Sequence, residues 1–169
     1  MKKLSEKICP DKSERDSLSR YYFKFVELRT IHNSEGYGDS PRLAEGFTER
    51  LCRELFELEV PVKNKREFDL IGTEDSSIRV EVKATSGDNH TTTYNPRSKF
   101  SHMIWVYIPA SIGTLTITIM APPKAVTDIS KSGRKTLSLK KLKNEVPHVE
   151  HFYQISKKHP FIKKLKTKK

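Results

Sequence analysis

Residues 77–84 read SIRVEVKA, an alternation of apolar and polar side chains. Successive side chains of a β-strand point to opposite faces, so Val80 and Val82 share one face while Glu81 and Lys83 share the other. A carboxylate and an ammonium group therefore lie two residues apart on the polar face. This pattern predicts a strand with one face in a hydrophobic core, and the fold must contain a sheet to receive it.

Further strands are predicted on both sides of this segment. Runs of apolar and β-branched residues, each bounded by turn residues, predict strands at 68–72, 102–108 and 114–120. The polar stretch 85–101 between them predicts a long loop, and loops of this length in compact domains are usually functional or mobile. Beyond Pro122 the pattern weakens, and residues 138–144 and 157–168 are predicted to form short helices.

Two amphipathic helices are predicted before the strands. Residues 16–31 have apolar side chains at spacings of three and four: Leu18, Tyr22, Phe25, Val26 and Leu28. Residues 41–59 form the second helix, with Ser40 as N-cap and Pro41 at the first helical position. Its apolar stripe consists of Leu43, Phe47, Leu51, Leu55 and Leu58.

These elements predict an α/β fold with a mixed central β-sheet of about four or five strands, flanked by the two helices. A chain of 169 residues is about one domain long. We expect residues 1–130 to form the core with its N-terminal helix, and residues 131–169 to form a basic C-terminal segment.

The positive charge is concentrated at the C-terminal end. Residues 1–130 contain 19 Lys and Arg against 19 Asp and Glu, whereas residues 131–169 contain 13 Lys and Arg against only Glu145 and Glu150. The C-terminal segment therefore accounts for the whole formal net charge of +11. Such an asymmetry favours an arm that contacts nucleic-acid phosphates. The alternatives are an anionic membrane surface as partner, or a solvated tail.

The sequence predicts a soluble, cytoplasmic protein. No apolar run follows the N-terminal lysines, as a secretory signal would require, and no stretch approaches the roughly 20 apolar residues of a membrane span. The two cysteines, Cys9 and Cys52, match no zinc-binding spacing. In the cytoplasm both are expected to be reduced thiols.

Asp69 interrupts the apolar strand EFDLI, where an unpaired buried charge would cost several kcal/mol. A metal ion would compensate for that charge, and Mg²⁺ prefers one or two carboxylates together with waters and phosphate oxygens. Asp69 and Glu81 are candidate ligands, and the carbonyl of Val82 is a further one. Lys83 could orient a nucleophile or stabilise charge on a phosphate.

The spacing of these residues resembles the D-x(n)-(D/E)-x-K signature of the PD-(D/E)XK nuclease superfamily: Asp69 is followed, after eleven intervening residues, by Glu81, Val82 and Lys83. That superfamily includes type II restriction endonucleases and Holliday-junction resolvases. The resemblance covers residues 40–120. Phe68 stands where the proline of the signature is usually written, and many members lack that proline.

The resemblance implies a restriction endonuclease-like core and an endonuclease that cuts double-stranded DNA with Mg²⁺, for which Mn²⁺ would substitute. It implies a homodimer, since each subunit would cut one strand. A glutamate on the preceding helix completes the metal site in many members, and Glu45 is the matching residue, with Glu49 as the alternative. Thr85 and Ser86 would contact the nucleophile or the DNA, although a simple strand-end turn explains them equally well.

The predicted loop offers candidate DNA contacts that mix hydrogen-bond donors with an aromatic ring: Tyr94, Asn95, Arg97 and Lys99. A plain solvated loop is the alternative. Trp105 alternates with Met103 and Tyr107, which favours a place in the core over a platform for base stacking.

Two other classes of function compete with a nuclease. A non-catalytic nucleic-acid-binding module with a nuclease-like fold would be expected to lack one of Asp69, Glu81 and Lys83, and all three are present. A basic RNA-binding protein would leave Asp69 and Glu81 unexplained, because acids repel a phosphate backbone unless a metal intervenes. Within the nuclease class, the sequence leaves restriction, junction resolution, repair and mobile-element roles open.

Overall fold

The computed structural model describes residues 4–7, 11–37, 41, 43–62, 67–86, 90–95, 98–109, 113–122, 135–155 and 163–168. These residues form three helices and nine strands. No helix in this part of the chain is long and apolar enough to cross a membrane.

Helix α1, Lys12–Glu35, is longer at both ends than the predicted helix 16–31. The carboxylate of Asp11 caps it by accepting the N–H of Glu14 at 2.9 Å. Gly36 ends it with a positive φ of 67°, a conformation that glycine adopts without strain. Four of the five predicted apolar positions are buried, but Leu28 is 51% exposed.

Helix α2, Glu45–Leu55, is shorter than the predicted helix 41–59. Ala44 occupies the N-cap position, Pro41 precedes the helix, and the predicted cap Ser40 lies outside the described residues. At the other end, Phe56 is extended and forms a β-bridge with Glu6. The continuation of the apolar pattern to residue 58 reflects burial in a strand, because pairing with a neighbouring strand overrides local helical periodicity.

The main sheet has seven strands in the order β1-β2-β3-β5-β6-β8-β9, of which only β3 and β5 run parallel. A separate two-stranded antiparallel ribbon consists of β4 and β7. The strands are β1 Leu58–Glu59, β2 Leu70–Gly72, β3 Arg79–Thr85, β4 Thr91–Tyr94, β5 His102–Tyr107, β6 Thr114–Met120, β7 Lys135–Ser138, β8 His148–Gln154 and β9 Lys163–Lys168.

The mixed α/β architecture is confirmed, but the sheet has more strands than predicted. Helix α3, Leu139–Glu145, confirms the short helix expected at 138–144. The helix predicted at 157–168 is wrong, since its described part is strand β9, paired with β8 along the edge of the sheet. The loop predicted at 85–101 contains strand β4.

The sheet separates two hydrophobic cores. The larger core lies between the sheet and helices α1 and α2, and it includes Val80 and Val82 of β3. The smaller core lies on the opposite face, beneath the β4–β7 ribbon and α3, and it includes Trp105. Trp105 is fully buried, as the sequence predicted. The polar side of β3 therefore faces the smaller core and the ribbon.

Candidate active site

Asp69 stands directly before β2, where β2 and β3 separate. Its N–H donates to the carbonyl of Val80 at 2.9 Å, and its Oδ2 accepts the N–H of Val82 at 2.7 Å. The carboxylate thus replaces the backbone carbonyl that a longer β2 would present to β3. This hydrogen bond fixes the carboxylate beside the strand that contains Glu81 and Lys83.

The carbonyl of Val82 is directed to the same side. In a strand, the N–H and C=O of one residue point to the same edge, and those of the next residue point to the other edge. Because the Val82 N–H points to Asp69, the Val82 carbonyl also points toward the Asp69 side of β3. It is the backbone oxygen that the sequence predicted as a ligand, and Val82 lines the cleft described below.

Glu81 and Lys83 form an ion pair on the polar face of β3, with 2.7 Å between Glu81 Oε1 and Lys83 Nζ. Glu81 is 8% exposed. Burial raises the pKa of the Glu81 carboxyl, and the nearby charge of Asp69 raises it further, while Lys83 opposes the rise. Two carboxylates therefore lie close to each other, and Lys83 compensates for part of the charge of Glu81.

A cleft of about 650 Å³ opens at this place. Its walls come from α2, from the end of β3 and from the ribbon, and its lining includes Thr48, Glu49, Asp69, Val82, Lys83, Ala84, Thr85, Ser86, Thr91, Thr92 and Thr93. Glu81 does not belong to that lining, although it is paired with Lys83, which does. Asp69, Val82 and Lys83 are therefore the residues of the predicted centre that line the cleft.

Helix α2 contributes acidic residues to the same place. Glu49 lines the cleft. The thiol of Cys52 is fully buried, and burial raises its pKa, with further contributions from the charges of Glu49 and Asp69. Both carboxylates thus lie near one buried atom. Glu45 is the first residue of α2, one turn before Glu49 and on the same helix face, but its side chain lies outside the described residues.

The donor set suits a hard divalent cation. Within the described residues, no three His, Cys, Asp or Glu side chains are grouped closely enough to hold a metal ion. Mg²⁺ does not need such a group, because it commonly binds one or two carboxylates and keeps several waters. A carboxylate has about four lone-pair sites, so the hydrogen bond from Val82 leaves Asp69 able to bind a cation. Asp69, Glu81 and the Val82 carbonyl therefore fit this ion.

The structure separates the predicted DNA contacts into different environments. Thr85 and Ser86 line the cleft. Thr85 Oγ1 accepts the indole N–H of Trp105 at 3.0 Å, and the Ser86 carbonyl accepts Arg29 Nη1 at 3.2 Å. Both residues are thus held by tertiary contacts at the edge of the cleft.

The predicted loop residues do not form one surface. Tyr94 is 3% exposed and its ring packs edge-on against Phe100 in the smaller core, which does not fit the prediction that Tyr94 contacts DNA. Burial raises the pKa of Tyr94 accordingly. Asn95 and Lys99 are exposed, and Lys99 lies 3.5 Å from a carboxylate oxygen of Glu67. Arg97 lies outside the described residues.

Sequence reasoning missed the residues Thr91, Thr92 and Thr93, which line the cleft from β4. They were part of the predicted loop because the surrounding residues are polar. Three consecutive β-branched residues favour a strand, and this was the available signal. Their partner strand β7 is more than 40 residues away in the sequence, so the pairing itself was not visible.

Residues 10–156 match the family model described as Bsp6I restriction endonuclease. The match includes α1, α2, the cleft and both strands of the ribbon. No curated protein and no solved structure gives a significant match to this chain.

Proposed function

Because the chain belongs to the Bsp6I restriction endonuclease family, we propose that it is a metal-dependent, type II restriction-like endonuclease that hydrolyses phosphodiester bonds of double-stranded DNA. The observation that supports this proposal best is the meeting of Asp69, Glu81 and Lys83 beside one cleft. Membership of the family implies a nuclease and a DNA substrate. The metal, the catalytic residues and the assembly are our proposals.

Asp69, Glu81 and the Val82 carbonyl would hold the cation, with Mg²⁺ as the natural ion and Mn²⁺ as a substitute. When bound, the cation would supply Lewis-acid stabilisation of the negative charge on the scissile phosphate and its attacking water. Glu49, which lines the cleft beside Asp69, is the α2 carboxylate that we propose supports this pair.

Lys83 has two roles in this proposal. Without a cation, its ammonium group compensates for the buried charge of Glu81 at 2.7 Å. With DNA in the cleft, the same ammonium can donate to a nonbridging phosphate oxygen or orient the attacking water, because it lines the cleft. Thr85 keeps this end of β3 in place through its hydrogen bond with Trp105.

The basic C-terminal segment would provide phosphate contacts. Lys140 of α3 and Lys168 of β9 are exposed, and β9 is an edge strand of the main sheet. Lysines at such positions bind DNA without regard to sequence. This contribution would add affinity and leave the choice of cleavage site to other residues.

We further propose that the protein acts as a homodimer, since one cleft per chain can cut one strand at a time and a duplex has two. Light scattering on the protein with duplex DNA should give a protein mass of twice 19.5 kDa. A protein mass of 19.5 kDa under the conditions of double-strand cleavage would exclude this assembly.

The function is tested by incubating the purified protein with plasmid, linear duplex and single-stranded DNA in Mg²⁺, with and without EDTA. Discrete duplex fragments that disappear with EDTA are expected. A smear of products would contradict a restriction-like enzyme, although it would still indicate a nuclease. Binding without cleavage of any substrate, junctions included, would favour the alternative of a non-catalytic nucleic-acid-binding module.

A further inference from the structure

The β4–β7 ribbon has two chemically different faces. Cross-strand partners in an antiparallel pair point to the same face. Thr91 is paired with Ser138 and Thr93 with Thr136, so one face consists of four hydroxyl side chains. On the other face, Leu137, the partner of Thr92, and Tyr94 are buried in the smaller core. The ribbon is thus anchored by its apolar face and presents a neutral, hydroxyl-lined face.

The hydroxyl face is accessible. Thr91, Thr93 and Thr136 are exposed, and Ser138 is partly exposed. Ser138 occupies the N-cap position of α3, but its side chain makes no capping hydrogen bond. Among the described residues, none donates to or accepts from the hydroxyls of Thr91, Thr93 and Thr136. Thr91 and Thr93 also line the cleft, so their hydroxyls are available to a ligand that enters it.

We propose that this ribbon is the element that reads the DNA sequence, with Thr91, Thr93, Thr136 and Ser138 contacting base edges in the major groove. The inference depends on the proposed function for its substrate, double-stranded DNA. A two-stranded β-ribbon fits the width of the major groove, and threonine and serine can donate to or accept from base edges. The threonine methyl group can also contact the methyl group of thymine.

The spacing of the ribbon agrees with that of a duplex. Alternate residues of a strand are about 6.8 Å apart, twice the rise of about 3.4 Å per residue. Stacked base pairs rise by about 3.4 Å each. Thr91 and Thr93 therefore match positions two base pairs apart.

The absence of charge on the four residues distinguishes base reading from phosphate binding. Sequence-independent affinity for DNA comes mainly from Lys and Arg, which neutralise phosphates. Neutral hydroxyls add little to that affinity, but they can discriminate between bases because base edges differ in their donors and acceptors. Strand β4 of the ribbon lines the same cleft as Asp69 and Lys83, so a duplex read there would have its backbone near the catalytic groups.

The test is selection of bound duplexes from a random-sequence pool, with Ca²⁺ in place of Mg²⁺, followed by sequencing. The wild type is compared with Thr91→Val plus Thr93→Val, and with Thr136→Val plus Ser138→Ala. Valine keeps the shape and strand preference of threonine while removing its hydroxyl. Thr114→Val, at an exposed position of β6 outside the cleft lining, is the matched control.

The wild type should select a defined motif. For each hydroxyl removed, the preference of the protein for the selected base over the other bases should fall about 3- to 10-fold at particular positions of the motif. The affinity for random DNA should change little. Thr91→Ser plus Thr93→Ser, which keeps both hydroxyls, should retain most of the wild-type discrimination. The control should select the wild-type motif, and thermal unfolding should give similar midpoints for all variants.

Three outcomes would overturn the inference: a wild type without sequence preference, ribbon variants with the wild-type motif, or a uniform loss of affinity across all sequences. The last result would indicate phosphate contacts. If the wild type selects a motif that the ribbon variants alter, but cleaves no DNA in Mg²⁺, the inference holds while the proposed catalytic function fails.

Discussion

At the residue scale, Asp69 has a structural as well as a chemical role. Its carboxylate accepts the N–H of Val82 at the point where β2 and β3 separate. A backbone N–H that loses its partner in a poorly solvated site is costly. The sequence indicated why an acid in this strand needs a partner, and the structure identifies one partner as a backbone amide.

The dual role of Asp69 gives a stability prediction. In urea unfolding, the free energy of unfolding of Asp69→Ala should be about 1–2 kcal/mol lower than that of Asp69→Asn, because the amide oxygen of asparagine can still accept the Val82 N–H. Asp16→Asn, at an exposed position of α1, should change stability little and serves as the control. Equal stability of the alanine and asparagine variants would mean that the hydrogen bond contributes nothing.

The strand that contains Glu81 and Lys83 was predictable because alternation is a local property of the sequence. The burial of Glu81 depends on β5, which pairs with β3, and on the core that lies over that face of the sheet. Those neighbours are determined by tertiary pairing, which no local pattern reveals.

At the element scale, α2 has two glutamates one turn apart, and only Glu49 has a described position in the cleft lining. The sequence favoured Glu45, whose side chain lies outside the described residues and is therefore untested, whereas the described lining supports the alternative, Glu49. We expect Glu49→Gln to slow cleavage by about 10- to 100-fold, as removal of a group that supports a metal ligand does. Glu45→Gln should have a smaller effect, measured in the same single-turnover assay. The reverse order would assign the role to Glu45.

The basic elements α3 and β9 give a prediction about salt dependence. Lys140→Gln and Lys168→Gln should each reduce the slope of log binding constant against log salt concentration by about 0.9, the value for one phosphate contact. Lys24→Gln removes the same charge from α1, where Lys24 pairs with Glu27 at 2.7 Å, and should leave the slope unchanged. Unchanged slopes for Lys140 and Lys168 would exclude them as phosphate contacts.

Point substitutions test this role better than truncation. Strand β9 pairs with β8 along the sheet edge, so its removal would expose β8 as well as removing charge. The lysine-rich composition of this segment was read from the sequence as a helix or a tail. Lysines are also frequent on edge strands, where they discourage pairing with other chains. Composition alone does not distinguish a lysine-rich edge strand from a lysine-rich helix or tail.

At the scale of the whole molecule, the first and the last described segments of the chain meet. Glu6 accepts a hydrogen bond from Tyr153 at 2.6 Å and another from Lys164. His151 lies 3.6 Å from Glu6 and also contacts Thr167 at 3.1 Å. This cluster connects the N-terminal segment to strands β8 and β9, and contacts of such sequence separation were beyond local prediction.

The cluster should make stability depend on pH. Burial alone would raise the pKa of Glu6, but hydrogen bonds from Lys164 and Tyr153 outweigh it and hold the pKa below its ordinary 4.5. Burial lowers the pKa of His151 from 6.5. In both cases the unfolded chain binds protons more readily, so stability falls as the pH drops below 6.5 for His151 and below 4.5 for Glu6.

Urea unfolding of the wild type and of Glu6→Gln tests this prediction. The stability difference between them should be larger at pH 7 than at pH 4, because below the ordinary pKa of 4.5 the unfolded chain binds a proton at Glu6 more readily than the folded protein does. Glu27→Gln, which breaks an exposed pair on α1, should give a small difference at both pH values. A stability difference between wild type and Glu6→Gln that is as large at pH 4 as at pH 7 would contradict the lowered pKa of Glu6.

The most direct test of the proposed active site is single-turnover cleavage of duplex DNA in Mg²⁺ by Asp69→Asn and Lys83→Met. The matched controls are Asp16→Asn and Lys24→Met, which make the same chemical changes at exposed positions of α1. We predict that the first two variants cleave at least about 100-fold more slowly than wild type. The controls should cleave at the wild-type rate, and EDTA should stop cleavage in every sample. Wild-type rates for folded Asp69→Asn and Lys83→Met would contradict the proposed centre.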